Sequence, residues 1–355
     1  MAAPKILWDI GTCYDFYMSL HVLHKPDKSG LRGKWAAGVR SRLPQGEREI
    51  LQQARGFLLN TLHWLYRLPE PKDGQTLLQS LAALPSEDRI STLLDTPNLP
   101  PDFKQTLAKV TERQAWSEED VQTVPPILGP LGPIRFSKEI IRNLFTWCTQ
   151  PAEYGERYLQ ALQTYYAVFF AEEEQRIGPV LQASLERAQA LAQRLDLASL
   201  LEELSQGLRY TEYFKASELV LAPSFWSTPL VTEEWLTDTR QIILFGARPA
   251  TASLVPGEVV PDSLSLALKA LADPTRLRIL RYLGEEPLTP TELARRLRLR
   301  PPTVIHHLHT LRLAGLVYIT LSAEDQRRYT ARLDGVALTF KTLKTFLGPN
   351  NVDLS

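Results

Sequence analysis

Arginine and histidine side chains are concentrated between residues 276 and 332, where their types and spacing suit contacts with phosphates and base edges. The arginines of this stretch are Arg276, Arg278, Arg281, Arg295, Arg296, Arg298, Arg300, Arg312, Arg327, Arg328 and Arg332. Guanidinium groups bind phosphate oxygens through charge and paired hydrogen bonds, which gives affinity without sequence information. His306, His309 and Thr310 add donors and acceptors of the kind that contact base edges. The stretch therefore has the composition of a nucleic-acid-binding surface.

Three short helices are predicted to position these side chains. Asp273-Pro274 places an N-cap residue before a proline at the first helical position, and Gly284 ends that helix. Thr289-Pro290-Thr291-Glu292 is a Thr-x-x-Glu capping box that begins the second helix. Pro301-Pro302 begins the third. The spacing of the three helices is typical of a helix-turn-helix unit.

The third helix is predicted to be amphipathic, and a hairpin is predicted to follow it. Its apolar face comprises Val304, Leu308 and Leu311, and its opposite face comprises His306, His309 and Thr310. After Gly315 the pattern changes to alternation, over 316–321 and again over 328–333. A hairpin attached to three helices predicts a winged helix-turn-helix.

The geometry of such a unit assigns roles to individual side chains. We expect base edges to be contacted by Thr303, His306, His309 and Thr310, and phosphates by Arg300, His307, Arg312, Arg327 and Arg328. Ile305 is expected either to meet a thymine methyl group or to pack inward. Winged helices also dock proteins, so a protein-interaction or scaffold module remains the alternative. The coincidence of basic charge with a polar outward face favours DNA.

The same stretch resembles the ArsR-type (arsenical-resistance-like) winged-helix transcription regulators. The resemblance covers about a fifth of the chain and is carried by 270–280 (ALADPTRLRIL), 291–294 (TELA), Val304-x-His306-His307-Leu308 and Leu311-x-x-Ala314-Gly315-Leu316-Val317. Arg300 and Ile305 depart from it, since the family usually has a serine and a polar residue at these positions. The resemblance implies a bacterial, homodimeric DNA-binding protein that sits on a pseudo-palindromic operator and represses transcription, with affinity lowered by an effector or a metal in many members.

The chain departs from the metal-sensing members of that family. Those members carry a Cys-x-Cys pair on the second helix of the motif, where this chain has Leu293, Ala294, Arg295 and Arg296. The helix after Asp334 holds no histidine for the other common metal site of the family. We therefore expect no metal and no cofactor. The homodimer is expected to use that last helix, through Leu338, Leu343 and Phe346, together with the helix before Asp273.

Composition sets limits on the rest of the chain. A length of 355 residues predicts two domains, and 44% hydrophobic residues indicate an ordinary folded protein. Cys13 and Cys148, far apart in sequence, argue for a reducing compartment. No apolar stretch is long enough to cross a membrane and no secretion signal is seen, so a cytoplasmic location without membrane contact is expected. The net charge is zero overall but about +6 over 262–347.

The organisation predicted is mostly α: a helical N-terminal body with a small antiparallel β-sheet, then the winged helix-turn-helix. We place the body at 1–247, with a turn-rich connector at 125–133 that could subdivide it, a linker at 248–261 and the DNA-binding domain at 262–348. Within the body, two long helices are predicted at 154–175 and 179–195, and strands at 5–10, 209–214, 219–223 and 241–246.

The body also resembles a region that lies ahead of this winged helix in some bacterial regulators, a long helical part followed by a small sheet. The resembling segments are 14–43 and 218–226, the latter followed by 242–248. The body is a candidate for dimerisation and for sensing a small apolar molecule or a protein. An enzyme is not expected, because no phosphate loop, nucleophile elbow or metal motif is found. Glu172-Glu173-Glu174 is interpreted as a solvated helix face.

Overall fold

The structure, a computed structural model, describes residues 4–31, 33–58, 61–97, 99–125, 127–129, 132–134, 136–210, 216–321 and 327–348. Helices dominate these residues, small sheets accompany them, and the C-terminal part is a three-helix unit with a hairpin. The predicted class, mostly α with a C-terminal helix-turn-helix, is confirmed.

Twelve α-helices of the described residues precede the C-terminal unit. They are α1 Thr12–His24, α2 Gly33–Ser41, α3 Gln45–Ala54, α4 Leu62–Leu65, α5 Gly74–Ala82, α6 Arg89–Leu94, α7 Pro101–Arg113, α8 Glu118–Thr123, α9 Lys138–Thr149, α10 Pro151–Tyr165, α11 Ala171–Ala192 and α12 Leu197–Ser205. The first eleven contribute to one large apolar core, whereas α12 packs, with the end of α11, in a second cluster against the largest sheet. Between α8 and α9, in the predicted connector, the short strands β2 Ile127–Gly129 and β3 Gly132–Ile134 pair antiparallel. Helix α1 is almost wholly buried, with Tyr14 and Phe16 fully enclosed.

Helices α10 and α11 form one continuous rod joined by a π-helical turn, Tyr166–Phe170. The prediction of two helices separated before Pro179 was wrong, because Pro179 lies inside α11. A proline within a helix costs about 3 kcal/mol. Burial of Phe170, Ile177 and Leu181 against the core offsets that cost.

The largest sheet is mixed, with strand order β1-β5-β7-β6. Strands β1 Lys5–Trp8, β5 Glu218–Ser224 and β7 Arg240–Gly246 are parallel neighbours, and only β6 Thr232–Trp235 runs antiparallel to β7. The predicted antiparallel sheet was therefore wrong. On β5, Val220 packs into the main core and Leu221 into a second cluster on the opposite face. Strands buried on both faces are typical of parallel sheets, and their unbroken apolar runs give no alternation that would reveal direction.

The C-terminal unit begins with α13 Asp262–Leu271 and continues with α14 Pro274–Glu285, α15 Pro290–Leu297, α16 Pro301–Leu313, β8 Val317–Leu321, β9 Arg328–Ala331 and α17 Leu333–Leu347. It has its own apolar cluster, which includes Ile279, Leu293, Leu308 and Leu316. Strands β8 and β9 pair antiparallel as the predicted hairpin. The domain limits at 247, 261 and 348 remain a prediction.

A strand of the body extends the sheet of this hairpin. Strand β4 Leu208–Tyr210 pairs parallel with β8, so that Leu208 lies opposite Ile319 and Tyr210 opposite Leu321. The prediction that the segment at 209–214 joins the sheet of the body was therefore wrong where the structure describes it, and residues 211–215 lie outside the described residues.

Candidate nucleic-acid interface

Local capping interactions fix the starts of α14 and α15. The Asp273 carboxylate accepts a hydrogen bond from the Arg276 backbone N–H at 2.9 Å, and this bond holds the pKa of that carboxyl below its ordinary value. Thr289 and Glu292 form the predicted capping box, in which the Glu292 carboxylate accepts from the Thr289 N–H at 2.7 Å. The local sequence therefore fixes the residues at which these two helices begin.

Helix α16 buries one face and exposes the start of the other. Val304, Leu308 and Leu311 are buried in the apolar cluster, as predicted. Thr303 and His306 are exposed, and Ile305 keeps 52% of its surface exposed. Of the two alternatives for Ile305, inward packing is thus wrong in this structure. The first turns of α16 present two polar side chains and one apolar side chain on an open surface.

The remaining predicted base-edge and histidine positions on α16 are half-buried. The Thr310 hydroxyl donates to the His306 carbonyl oxygen at 3.1 Å within the helix. Burial lowers the pKa of His307, and the nearby Asp273 carboxylate opposes that shift. His309 lies one turn after His306 on the same side of the helix. These side chains are less accessible than Thr303 and His306, and a DNA contact by them remains a prediction.

Exposed arginines surround the start of α16. Arg300, at its N-cap position, and Arg295 and Arg298, on and just after α15, are exposed and have no ion pair within the described part of the chain. The last two were not singled out as contact residues from the sequence, although both belong to the arginine-rich stretch. Exposed cations without a carboxylate partner keep their charge available to phosphate oxygens.

The hairpin supplies two further predicted phosphate contacts. Arg328 is exposed, and its Nη1 donates to the Pro287 carbonyl oxygen at 3.1 Å and lies 3.6 Å from the Glu292 carboxylate. Arg327 is half-exposed. Residues 322–326, at the tip between β8 and β9, lie outside the described residues. The phosphate contacts of Arg327 and Arg328 stay predictions.

The prediction that Arg312 faces phosphate was wrong, because this side chain is buried at the C-terminal end of α16. Its guanidinium donates to the carbonyl oxygens of Gln206 at 2.7 Å, Ser205 at 2.7 Å and Pro229 at 3.2 Å. Burial, and then the neighbouring Arg332, lower its pKa to about 10. Spacing alone could not distinguish this residue from an exposed arginine.

Further contacts attach the hairpin to the body. The Arg332 Nη1 donates to the Gln206 carbonyl oxygen at 3.0 Å. The Arg209 guanidinium lies 3.7 Å from the centre of the Tyr318 ring, a cation–π distance. With the pairing of β4 and β8, these contacts hold the end of α16 and the hairpin against the body while the start of α16 stays open.

Helix α17 packs against α13 within the same chain and leaves apolar side chains exposed. Of the predicted dimer residues, Leu338 is 49% and Phe346 is 39% exposed, and Leu343 is half-buried. The exposed apolar surface of this helix also includes Leu333, Phe340 and Leu347. The dimer contact itself remains a prediction.

The carboxylates that we interpreted as a solvated face are in part buried and bonded. Glu173 is 3% exposed and accepts from the Trp226 indole N–H at 2.8 Å. Glu174 accepts from the Gly74 backbone N–H at 2.7 Å and from the Tyr166 hydroxyl at 3.0 Å. Glu173 and Glu174 thus connect α11 to segments that are far away in the sequence. Such long-range contacts cannot be inferred from the helical spacing of the three glutamates.

Among the residues that the structure describes, no group of three or more His, Cys, Asp or Glu side chains is placed to hold a metal ion. Within the same residues, no helix combines the length and the apolar character needed to span a bilayer.

The helices that carry the exposed arginines are similar to known helix-turn-helix domains. A family of helix-turn-helix domains matches residues 271–318, which extend from the end of α13 to the start of β8. No curated protein matches the chain. The match and the exposed basic surface around α16 support a DNA-binding regulator in general.

Proposed function

We propose that this protein is a dimeric transcription repressor of the ArsR type that binds a pseudo-palindromic operator. The observation that carries the proposal is the open start of α16, where Thr303 and His306 are exposed beside Arg300 in a region that matches helix-turn-helix domains. An exposed helix of this kind fits the major groove of B-DNA, and its N-terminal turns then meet base edges.

Within this proposal, Thr303 and His306 contact base edges, and Ile305 meets a thymine methyl group. Phosphate contacts come from Arg300 and Arg328, with further contributions from exposed arginines of α15. The positive charge of this region gives salt-dependent affinity, because each neutralised phosphate releases condensed counterions.

The proposed dimer uses α17. Two copies that pair through Leu338, Leu343 and Phe346 would cover apolar surface that is exposed in the single chain. A two-fold dimer presents two α16 helices and therefore matches a two-fold operator. We do not propose a soft metal as the effector. Metal-sensing members of the ArsR type bind the metal through cysteines on the second helix of the motif, where the present chain has Leu293 to Arg296.

The test is a binding titration of the full chain against the DNA upstream of its own coding sequence and against a scrambled duplex, at two salt concentrations. Preference for the upstream DNA, weakened by salt, supports the regulator. Weak and equal binding to both duplexes contradicts it and favours the alternative, a module that docks a protein partner.

The dimer is tested separately by sedimentation. Replacing Leu343 and Phe346 with aspartate places charge in the proposed contact and should convert the dimer to a monomer. Lys341→Asp, at an exposed position of the same helix, controls for the change in charge. An unchanged dimer in the double variant contradicts the assignment of α17.

A further inference from the structure

A cleft of about 600 Å³ lies where the body meets the C-terminal unit, a volume within the range of small-molecule sites. We call it the junction cleft. Its body side comes from α11, the end of α12 and the residues after β7, and its other side comes from α13, the end of α16 and α17. A molecule bound there would contact both parts of the chain at once.

The junction cleft has a mainly apolar lining. Val180 and Ala183 on α11, Leu264 on α13 and Leu338 on α17 are among the apolar residues that line it, and Ser184 and Thr342 add hydroxyl groups. Leu338 keeps about half of its surface exposed in the single chain. An apolar ligand in the cleft would remove this surface from water, which favours binding through the hydrophobic effect.

The charge that lines the junction cleft is predominantly positive. Arg187 is paired with Glu203 at 2.8 Å, and Arg332 is paired with Asp334 at 3.1 Å. Among the described residues Arg248 forms no ion pair, although its guanidinium lies 5.8 Å from the centre of the Phe225 ring and Asp262 is close enough to act on its charge. The lining thus leaves one guanidinium without an ion-pair partner.

Arg248 is 8% exposed, and its environment is unusual for a charged group. Its Nη2 donates to the carbonyl oxygen of Thr228, a residue that also lines the cleft, at 3.0 Å. Its Nη1 is buried and has no hydrogen-bond partner among the described residues. Burial lowers its pKa to about 10, and Asp262 opposes that shift. A buried cation that keeps an unused donor is costly unless an anion approaches it.

We propose that the junction cleft binds a small, mainly apolar carboxylate and that Arg248 supplies the compensating charge. The apolar lining accommodates the hydrocarbon part, and the guanidinium favours an anionic group over a neutral one of the same shape. Attraction between the two charges is stronger in this buried setting than in water.

The junction cleft adjoins the residues that hold the C-terminal end of α16, so that a bound ligand would contact them. Leu313 lines the cleft and directly follows Arg312, and Gln206 lines it while its carbonyl oxygen accepts a hydrogen bond from Arg312. A bound carboxylate therefore shares contacts with the residues that hold the end of α16. This consequence rests on the proposed regulator function, whereas the binding itself does not.

The experiment is calorimetric titration of the full chain, without DNA, with 2-naphthoate and octanoate and with the neutral amides of both. We expect each carboxylate to bind on the order of tenfold more tightly than its amide, the effect of one charged hydrogen bond. Arg248→Met should reduce the carboxylate affinity to that of the amide, and Arg248→Lys should retain the preference because it keeps the charge. Circular dichroism shows whether each variant is folded.

A filled cleft provides a second, independent test. Ser184→Trp places an indole in the cleft and should abolish binding, whereas Gln182→Trp, at an exposed position of α11 outside the cleft lining, should leave it unchanged. The proposal is overturned if neither carboxylate binds at millimolar concentration or if the carboxylates bind no more tightly than the amides. It is also overturned if Ser184→Trp does not abolish binding or if Arg248→Met does not lower the carboxylate affinity. Because DNA is absent, these outcomes are independent of whether the chain is a repressor.

Discussion

The guanidinium of Arg312, on the helix proposed to enter DNA, donates a hydrogen bond of 2.7 Å to the carbonyl oxygen of Gln206 in the body. The same group donates to the carbonyl oxygens of Ser205 and Pro229, so one side chain binds three backbone acceptors, two at the C-terminal end of α12 and one in the loop at Pro229. Gln206 itself has a left-handed backbone, φ 55°, that turns the chain from α12 into β4. The orientation of α16 is consequently tied to a turn more than 100 residues earlier in the sequence.

The first prediction concerns this contact. Arg312→Met should lower the free energy of unfolding by about 2–4 kcal/mol, because buried carbonyl oxygens lose their donors. Chemical denaturation of the full chain measures the change. Arg281→Met, at an exposed position with its nearest carboxylate 3.9 Å away, is the control and should change stability by less than about 0.5 kcal/mol. Equal effects of the two substitutions would contradict the buried role of Arg312.

The second prediction separates base contacts from phosphate contacts. His306→Ala should reduce the preference for operator over scrambled DNA by about 1–3 kcal/mol, because a base contact carries sequence information. Arg300→Ala should instead weaken binding to both duplexes and lower the salt dependence by about one counterion. Lys109→Ala, exposed on α7 in the body, should change neither quantity. If His306→Ala and Arg300→Ala gave the same pattern, these assignments would be wrong.

The third prediction is a dependence of stability on pH that arises at Glu233. Burial raises the pKa of this carboxyl to about 7, and the carboxylate accepts a hydrogen bond from the Gln241 side-chain amide at 3.0 Å. The folded state therefore binds more protons than the unfolded state between the ordinary pKa of glutamate and about pH 7. Stability should fall as the pH rises through this window and level off above it.

Glu233→Gln tests this dependence, since a neutral amide has no charge to desolvate. The variant should be more stable than the parent above pH 7, by up to about 2 kcal/mol, and should show a flatter stability profile from pH 5 to pH 7. Burial also raises the pKa of Asp15 to about 6, so part of the decrease in stability with pH should remain in both proteins. Glu112→Gln, exposed on α7, serves as the control. A profile unchanged by Glu233→Gln would refute the assignment.

The fourth prediction compares two glycines of the C-terminal unit. A Cβ at Gly335, near the start of α17, would lie 2.2 Å from the Gly315 carbonyl oxygen, which belongs to the backbone. Gly335→Ala should therefore displace α17 and lower stability by more than about 2 kcal/mol. A Cβ at Gly284, inside α14, would meet nothing within 4 Å. Gly284→Ala should instead stabilise by about 0.5–1 kcal/mol, and thermal unfolding distinguishes the two.

The local sequence determined the C-terminal unit to a large extent. Capping residues such as Asp273 and Thr289, and the period of Val304, Leu308 and Leu311, act within one or two helical turns, so they are readable without a partner. The exposed face at Thr303 and His306 followed from the same period. These signals were sufficient to predict the helix-turn-helix and its hairpin.

Tertiary structure decided what depends on residues far apart in the chain. Whether Arg312 faces solvent or the carbonyl oxygen of Gln206 is set by the docking of the body, which no local pattern encodes. Strand direction in the sheet depends on helices that cover both faces of β5, because continuous apolar runs are the same in either direction. The junction cleft likewise exists only where α11, α13 and α17 meet. Local periodicity reports which face of an element is buried, whereas only the packed chain shows which element buries it.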